Sequence, residues 1–183
     1  MKRIAIITVL FLMLFGGAGT ASAQLFSDVP DMKGKVTFGG DFDFGIYGNY
    51  MNLAIAPQVG YRIFSPWEVG LRGVYNLKCY FGYGEYYHYF GLAPYTNFEF
   101  YKGLFVHAEY ECLYGLARYN HESFGGELYT SIFVGGGYRS YSYDGNYYYL
   151  MVLYNLSWDF SKVQNDWLYP YGSPLVLRVG YCF

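Results

Sequence analysis

Apolar side chains recur at every second position over most of this chain, and after residue 23 no apolar run approaches the ~18 residues of a helix that crosses a bilayer. A period of two belongs to extended backbone, whose successive side chains point to opposite faces. It predicts strands over residues 35–48, 52–64, 67–81, 86–100, 104–118, 127–142, 147–160 and 174–183. Most of these reach the roughly 9–11 residues with which a tilted strand spans hydrocarbon. Eight is an even number, so an antiparallel up-and-down barrel closes with both chain ends on one side. The expected fold is all-β, a transmembrane antiparallel barrel of eight strands.

The two faces separate by charge. Phe38, Phe42, Phe44 and Ile46 of the first strand oppose Thr37, Asp41, Asp43 and Gly45, and in the second Val59, Tyr61 and Ile63 oppose Gln58, Gly60 and Arg62. Val69, Leu71, Tyr75 and Leu77 oppose Glu68, Arg72, Asn76 and Lys78 in the third; Phe98 opposes Asn97 and Glu99 in the fourth. In the fifth, Val106, Ala108 and Tyr110 oppose His107, Glu109 and Glu111. The sixth is the least regular, with Arg139 on the polar side but Phe133 there too, and the seventh sets Leu156 and Trp158 against Ser157 and Asp159. Only Arg118 lands on the apolar side, at an outer end where a long side chain reaches water. A cation at mid-bilayer on the lipid face costs ~2–4 kcal/mol, so the pattern favours lipid outside and a polar lumen inside. A soluble sandwich would use the apolar face as its core. The 25 Tyr and 16 Phe spread over nearly all strands suit aromatic girdles better.

The ends of the chain fit the same picture. Lys2 and Arg3, an apolar run from Ile4 to Phe15 and then Ala21-Ser22-Ala23 have the layout of a cleaved signal peptide over residues 1–23. Residues 24–34 are then a short periplasmic segment and 35–183 the barrel. The leader holds two of the 12 basic residues and none of the 14 acidic ones, which leaves a mature formal charge of −4 and no reason to expect nucleic acid. Cys79, Cys112 and Cys182 match no zinc or disulfide spacing and read as packing residues. The tight turns at 65–67, 101–103 and 144–146 belong on the periplasmic side, and the longer connections at 119–126 and 161–173 on the outside.

The lumen is expected to hold a charge network of Asp41, Asp43, Arg62, Glu68, Arg72, Lys78, Glu99, Glu109, Glu111, Arg139, Asp159 and Arg178. An eight-stranded barrel is just wide enough to be filled by side chains, so these groups should pair across it. Hairpin register pairs Arg62 with Glu68 and Arg139 with Glu109; closure of the last strand on the first brings Arg178 to Asp41 or Asp43. Inward glycines such as Gly60, Gly135, Gly137 and Gly180 leave room between the charged layers, which keeps a narrow pore for small solutes or ions as an alternative. A lipid-A-modifying enzyme is a second alternative, but His88 has no serine beside it, and adjacent residues of His121-Glu122-Ser123 point apart on a strand. His107, Glu109 and Glu111 share a face with metal-capable groups, for which Arg139 competes. No catalytic, cofactor or metal site is expected.

The last strand carries Leu177, Val179, Tyr181 and the terminal Phe183 in alternation, and this resembles the C-terminal signal that the barrel assembly machinery reads in its clients. With the leader, the strand count and the polar lumen, residues 35–183 resemble the small outer-membrane barrels of the OmpA transmembrane-domain and OmpX-like class. The resemblance is architectural, covering no motif residue by residue. It implies a Gram-negative outer-membrane location with both termini periplasmic, outer-membrane lipid as solvent and the assembly machinery as partner during biogenesis. Since the chain ends at Phe183, no peptidoglycan-binding domain of the OmpA type follows, and the short first outer connection near residues 48–50 departs from adhesin-like members. The expected role is structural or interactive, as a barrel with a largely plugged lumen or as a subunit of an envelope complex.

Overall fold

A computed structural model describes residues 34–47, 50–81, 85–119, 122–166 and 168–183. Residues 1–33, which include the expected signal peptide, and His121 lie outside these residues. Eight strands, β1 (Val36–Tyr47), β2 (Tyr50–Phe64), β3 (Trp67–Tyr80), β4 (Glu85–Tyr101), β5 (Leu104–Tyr119), β6 (Glu122–Tyr141), β7 (Tyr147–Asn155) and β8 (Leu175–Cys182), close in sequence order into one antiparallel barrel. Closure is by β1 on β8, where Phe38 and Phe183 exchange backbone hydrogen bonds of 2.9 and 2.8 Å. That seam is short: its strand register runs only from Gly39–Cys182 to Phe42–Val179.

Strand stagger follows from the register. A row perpendicular to the strands passes through Thr37, Gly60, Gly70, Tyr95, Glu109, Phe133 and Asn155. Asn155 N then donates to Pro174 O at 2.8 Å. Because Asp41 faces Gly180, Pro174 falls level with Tyr47, so one circuit climbs ten residues of β1. Such a shear tilts the strands by about 35–45° from the axis. Two of the tight turns between neighbouring strands contain glycine in the left-handed region, Gly103 and Gly145. Gly103 has φ 87°, and a Cβ there would lie 2.2 Å from Arg139 O.

Three connections differ from the sequence expectation. β7 stops at Asn155 instead of running to 160, because Asn155 Oδ1 accepts from Ser157 N at 2.9 Å and turns the chain out of the ladder. Asp159 then caps a short helix, α1 (Phe160–Asn165), by accepting from Ser161 N at 2.9 Å. The alternation through Leu156 and Asp159 is thus a turn followed by a cap. Residues 122–126, expected in a loop, belong to β6: Ala117 pairs with Phe124 and Tyr119 with Glu122 beyond a bulge at Gly115. A Cβ on Gly126 would meet the Tyr114 ring at 2.1 Å, so the bare glycine lets that ring lie across the strand. Finally, residues 168–171 turn into the lumen, burying Leu168, Tyr169 and Pro170.

Among the strand side chains described, no Asp, Glu, Lys or Arg shares the outward face, which exposes residues such as Phe42, Ile55, Leu92, Tyr110, Val152 and Leu177. The charged side chains of the strand interiors are buried, as are Tyr87, Tyr89, Tyr95, Tyr129, Tyr147 and Tyr149. Two of these tyrosines lie directly against inward glycines. A Cβ on Gly70 would lie 2.5 Å from Tyr95 Cζ, and one on Gly180 would lie 2.3 Å from Tyr149 Cζ. Gly135 and Gly137 lie instead against the β7 backbone, where a Cβ would meet Val152 O at 2.0 Å and Leu150 O at 2.2 Å.

Candidate functional site

The polar lumen is the chemical centre of the molecule, and it is stacked in three tiers. The lowest is built by the tight-turn ends of β2, β3, β4 and β6. Glu68 is its hub: Oε2 lies 3.4 Å from Arg62 Nε and 3.2 Å from Arg139 Nη1. Tyr147 donates to that oxygen at 3.2 Å, while Tyr95 and Asn97 donate to Oε1 at 3.2 Å each. Arg62 donates to Tyr141 at 2.8 Å, and Tyr141 in turn donates to Glu99 in a short hydrogen bond. The Arg139 guanidinium lies 4.6 Å from the Phe105 centroid and 4.8 Å from that of Tyr147.

In the middle tier two arginines are held in forks. Arg72 donates to both oxygens of Asp41 at 2.7 Å, and Arg178 to both oxygens of Glu109 at 3.0 Å. Arg72 also reaches Glu109 at 3.3 Å, so one carboxylate ties β3, β5 and β8 across the lumen. Glu111 lies 3.8 Å from Arg72 and 4.0 Å from Arg178, and accepts a short hydrogen bond from Tyr171. His107 sits between Asn97 Oδ1 at 2.6 Å and Glu109 Oε2 at 3.5 Å. Asp43 is half-buried.

The upper tier is the infolded connection between α1 and β8. Lys78 donates to Tyr169 O at 3.1 Å, Tyr89 to Leu168 O at 3.0 Å and Trp158 to Tyr171 O at 3.2 Å. Tyr129 donates to Asp166 at 2.9 Å. Leu168 and Tyr169 pack against Ala56, Val74, Ala93 and Leu113, where small wall residues leave room for them. Below, the Tyr171 ring meets Phe133 edge-on at 5.1 Å.

Of the expected pairs, Arg62 and Glu68 are adjacent. Arg139 is not beside Glu109, because it lies well below Phe133, the β6 residue opposite Glu109, and so falls level with Glu68 and Glu99. Arg178 lies near Asp41 and Asp43, as strand closure predicts, but its hydrogen bonds span the lumen to Glu109, because Arg72 already holds Asp41. Asp159 is outside the network, exposed at the helix cap, where two hydrogen bonds from Ser161 hold its carboxyl below the ordinary range. Phe133 is a lumen residue, its ring 5.1 Å from the Arg178 guanidinium. Sequence reasoning missed Tyr171 and the infolded segment; the one available signal was the run Leu168-Tyr169-Pro170-Tyr171, too apolar for a solvated loop. His88 faces outward and hydrogen-bonds Tyr75 at 3.0 Å. Cys79, Cys112 and Cys182 are free thiols, and Cys182 Sγ accepts from Gln58 at 2.9 Å.

The arrangement binds most of its charged groups to one another, while Asn52 Oδ1 and Asn76 Oδ1 are buried without a hydrogen-bond partner among the described residues. The sequence matches no protein-family model and shows no significant similarity to a curated protein.

Proposed function

We propose that this chain is an outer-membrane β-barrel of a Gram-negative envelope, with a structural or interaction role and a lumen closed to solutes at rest. The observation that carries this reading is the segregation of charge. The outward strand faces carry none among the described side chains, and the buried charges are paired inside. Water, or a protein core, would make no such demand on the outer face of a closed barrel, whereas hydrocarbon does. Three tiers of paired side chains and an infolded segment support the closed lumen. The C-terminal strand, ending in exposed Phe183, is consistent with delivery by the barrel assembly machinery.

The test is fractionation followed by comparison of boiled and unboiled outer membranes on a gel, and conductance in planar bilayers. An electrophoretic shift on boiling together with electrical silence is the expected result. A soluble periplasmic species without a shift would overturn the membrane reading, and discrete nanosiemens steps would overturn the closed lumen.

A further inference from the structure

The upper part of the lumen is filled by the chain's own residues 168–171, and the wall around them is built to hold amide groups. Lys78 donates to Tyr169 O at 3.1 Å and Tyr89 to Leu168 O at 3.0 Å. Each of these donors stands opposite an asparagine of the neighbouring strand: Lys78 is the register partner of Asn52, and Tyr89 that of Asn76. The wall thus carries two donor–acceptor pairs, and a peptide unit offers one C=O and one N–H. The two carbonyls held there belong to successive residues, so the pairs serve consecutive peptide groups. Only half of this arrangement is used. Asn52 and Asn76 are 9% and 7% exposed, and neither Oδ1 has a hydrogen-bond partner among the described residues. The amides of the infolded segment are committed elsewhere. Leu168 N donates to Asp166 Oδ1 at 2.9 Å and Tyr169 N to Asp166 O at 3.0 Å, while Pro170 has no N–H at all.

A buried acceptor without a donor destabilises the state that contains it. The plugged lumen therefore has two acceptors in place for an occupant with free N–H groups. We propose that this part of the lumen is a binding cup for a peptide segment of another protein, and that residues 168–171 occupy it as an imperfect internal ligand. A segment without the turn at Asp166 presents its N–H groups to Asn52 and Asn76 while its carbonyls take over Lys78 and Tyr89. Its apolar side chains enter the space between Ala56, Val74, Ala93 and Leu113 that Leu168 and Tyr169 now fill. Binding is then the exchange of one occupant for a better-bonded one, driven by the difference between the two. This names a partner class for the interaction role above, and it rests on the membrane reading only for the side from which the partner arrives.

The experiment follows the fluorescence anisotropy of a labelled, end-capped Leu-Tyr-Pro-Tyr peptide on the full-length mature protein in lipid nanodiscs. Three proteins are compared: the natural chain, Asp166→Ala, which loses the side-chain half of the turn, and Asp166→Ala combined with Asn52→Leu and Asn76→Leu. A second peptide carries N-methyl groups on its first two amides, which removes those N–H donors and keeps every carbonyl and side chain. Asp166→Ala is expected to bind the unmodified peptide saturably, about tenfold or more tighter than the natural chain, whose own segment competes. N-methylation, and equally the two leucines, should weaken that binding about tenfold or more, the scale of a lost hydrogen bond. No saturable binding to Asp166→Ala, or binding indifferent to either change, would overturn the proposal. So would displacement of the probe by an N-acetylated oligosaccharide at a lower concentration than by unlabelled peptide. Retention of the boiling-dependent gel shift shows that a variant still folds, and Tyr171→Ala, which frees the other end of the segment, replaces Asp166→Ala if that variant does not. Failure of the membrane reading is told apart by absence of the natural chain from the membrane fraction, whatever the peptide does.

Discussion

Replacing Arg72 by Met tests whether the lumen is dry. Arg72 is 3% exposed and grips Asp41, whose side chain is 1% exposed, through two hydrogen bonds of 2.7 Å. Without it, Asp41 keeps Tyr149 as a donor at 3.2 Å, and the middle tier holds Asp41, Glu109 and Glu111 against the single cation Arg178. Removing one partner of a buried ion pair strands the other charge and costs about 3–5 kcal/mol. Removing both is far cheaper, since an apolar pair of similar volume incurs no desolvation. Arg72→Met should therefore lower stability by about 3–5 kcal/mol, and Arg72→Met combined with Asp41→Leu should recover most of that loss. The assay is equilibrium unfolding in urea in detergent micelles, followed by tryptophan fluorescence and by the fraction that migrates as the folded form. A single substitution costing less than about 1 kcal/mol would mean that water reaches Asp41 and solvates it, and the closed-lumen argument would fail with it.

Three other outcomes follow from the packing. Gly70→Ala should cost about 1–3 kcal/mol, because its Cβ would lie 2.4 Å from Val59 O and 2.5 Å from the Tyr95 ring; a neutral result in the same unfolding assay would refute the close seating of Tyr95 on Gly70. Tyr171→Ala removes the donor to Glu111 and the ring against Phe133, so it should speed protease cleavage within residues 166–174 while leaving the boiling-dependent gel shift intact; unchanged cleavage would show that this segment is held by other contacts. Deleting Phe183 removes both backbone bonds to Phe38 and should lower the yield of assembled barrel in the membrane fraction, measured against the intact chain by immunoblot.

The strand plan was legible because period-two alternation is a local signal and a one-residue slip would invert both faces. Alternation failed where a turn imitated it. Ser157 and Asp159 occupy inward parity in the sequence, but one donates its amide to Asn155 and the other caps a helix. Membership of the lumen was legible for the strand-borne charges, since parity alone decides it. Which charge meets which was not. Partners across a lumen depend on the ten-residue stagger, which no single hairpin reveals, and so Arg139 was matched to the wrong level. Tyrosine was misjudged for a different reason: its ring suits a membrane interface and its hydroxyl suits a polar interior, so composition could not divide the 25 tyrosines between the two. The glycines opposite Tyr95 and Tyr149 carried that information, but only as contacts between distant strands.

The brevity of the seam between β1 and β8 has a kinetic consequence. Every other neighbouring pair of strands is adjacent in sequence, joined by a turn or, for β7 and β8, by the connection 156–174, so its closure entropy is far smaller. The seam brings together residues roughly 140 positions apart for five cross-strand partners, the poorest exchange of chain entropy for contacts in the molecule. Closure there should be the last event of folding and its opening the first of unfolding.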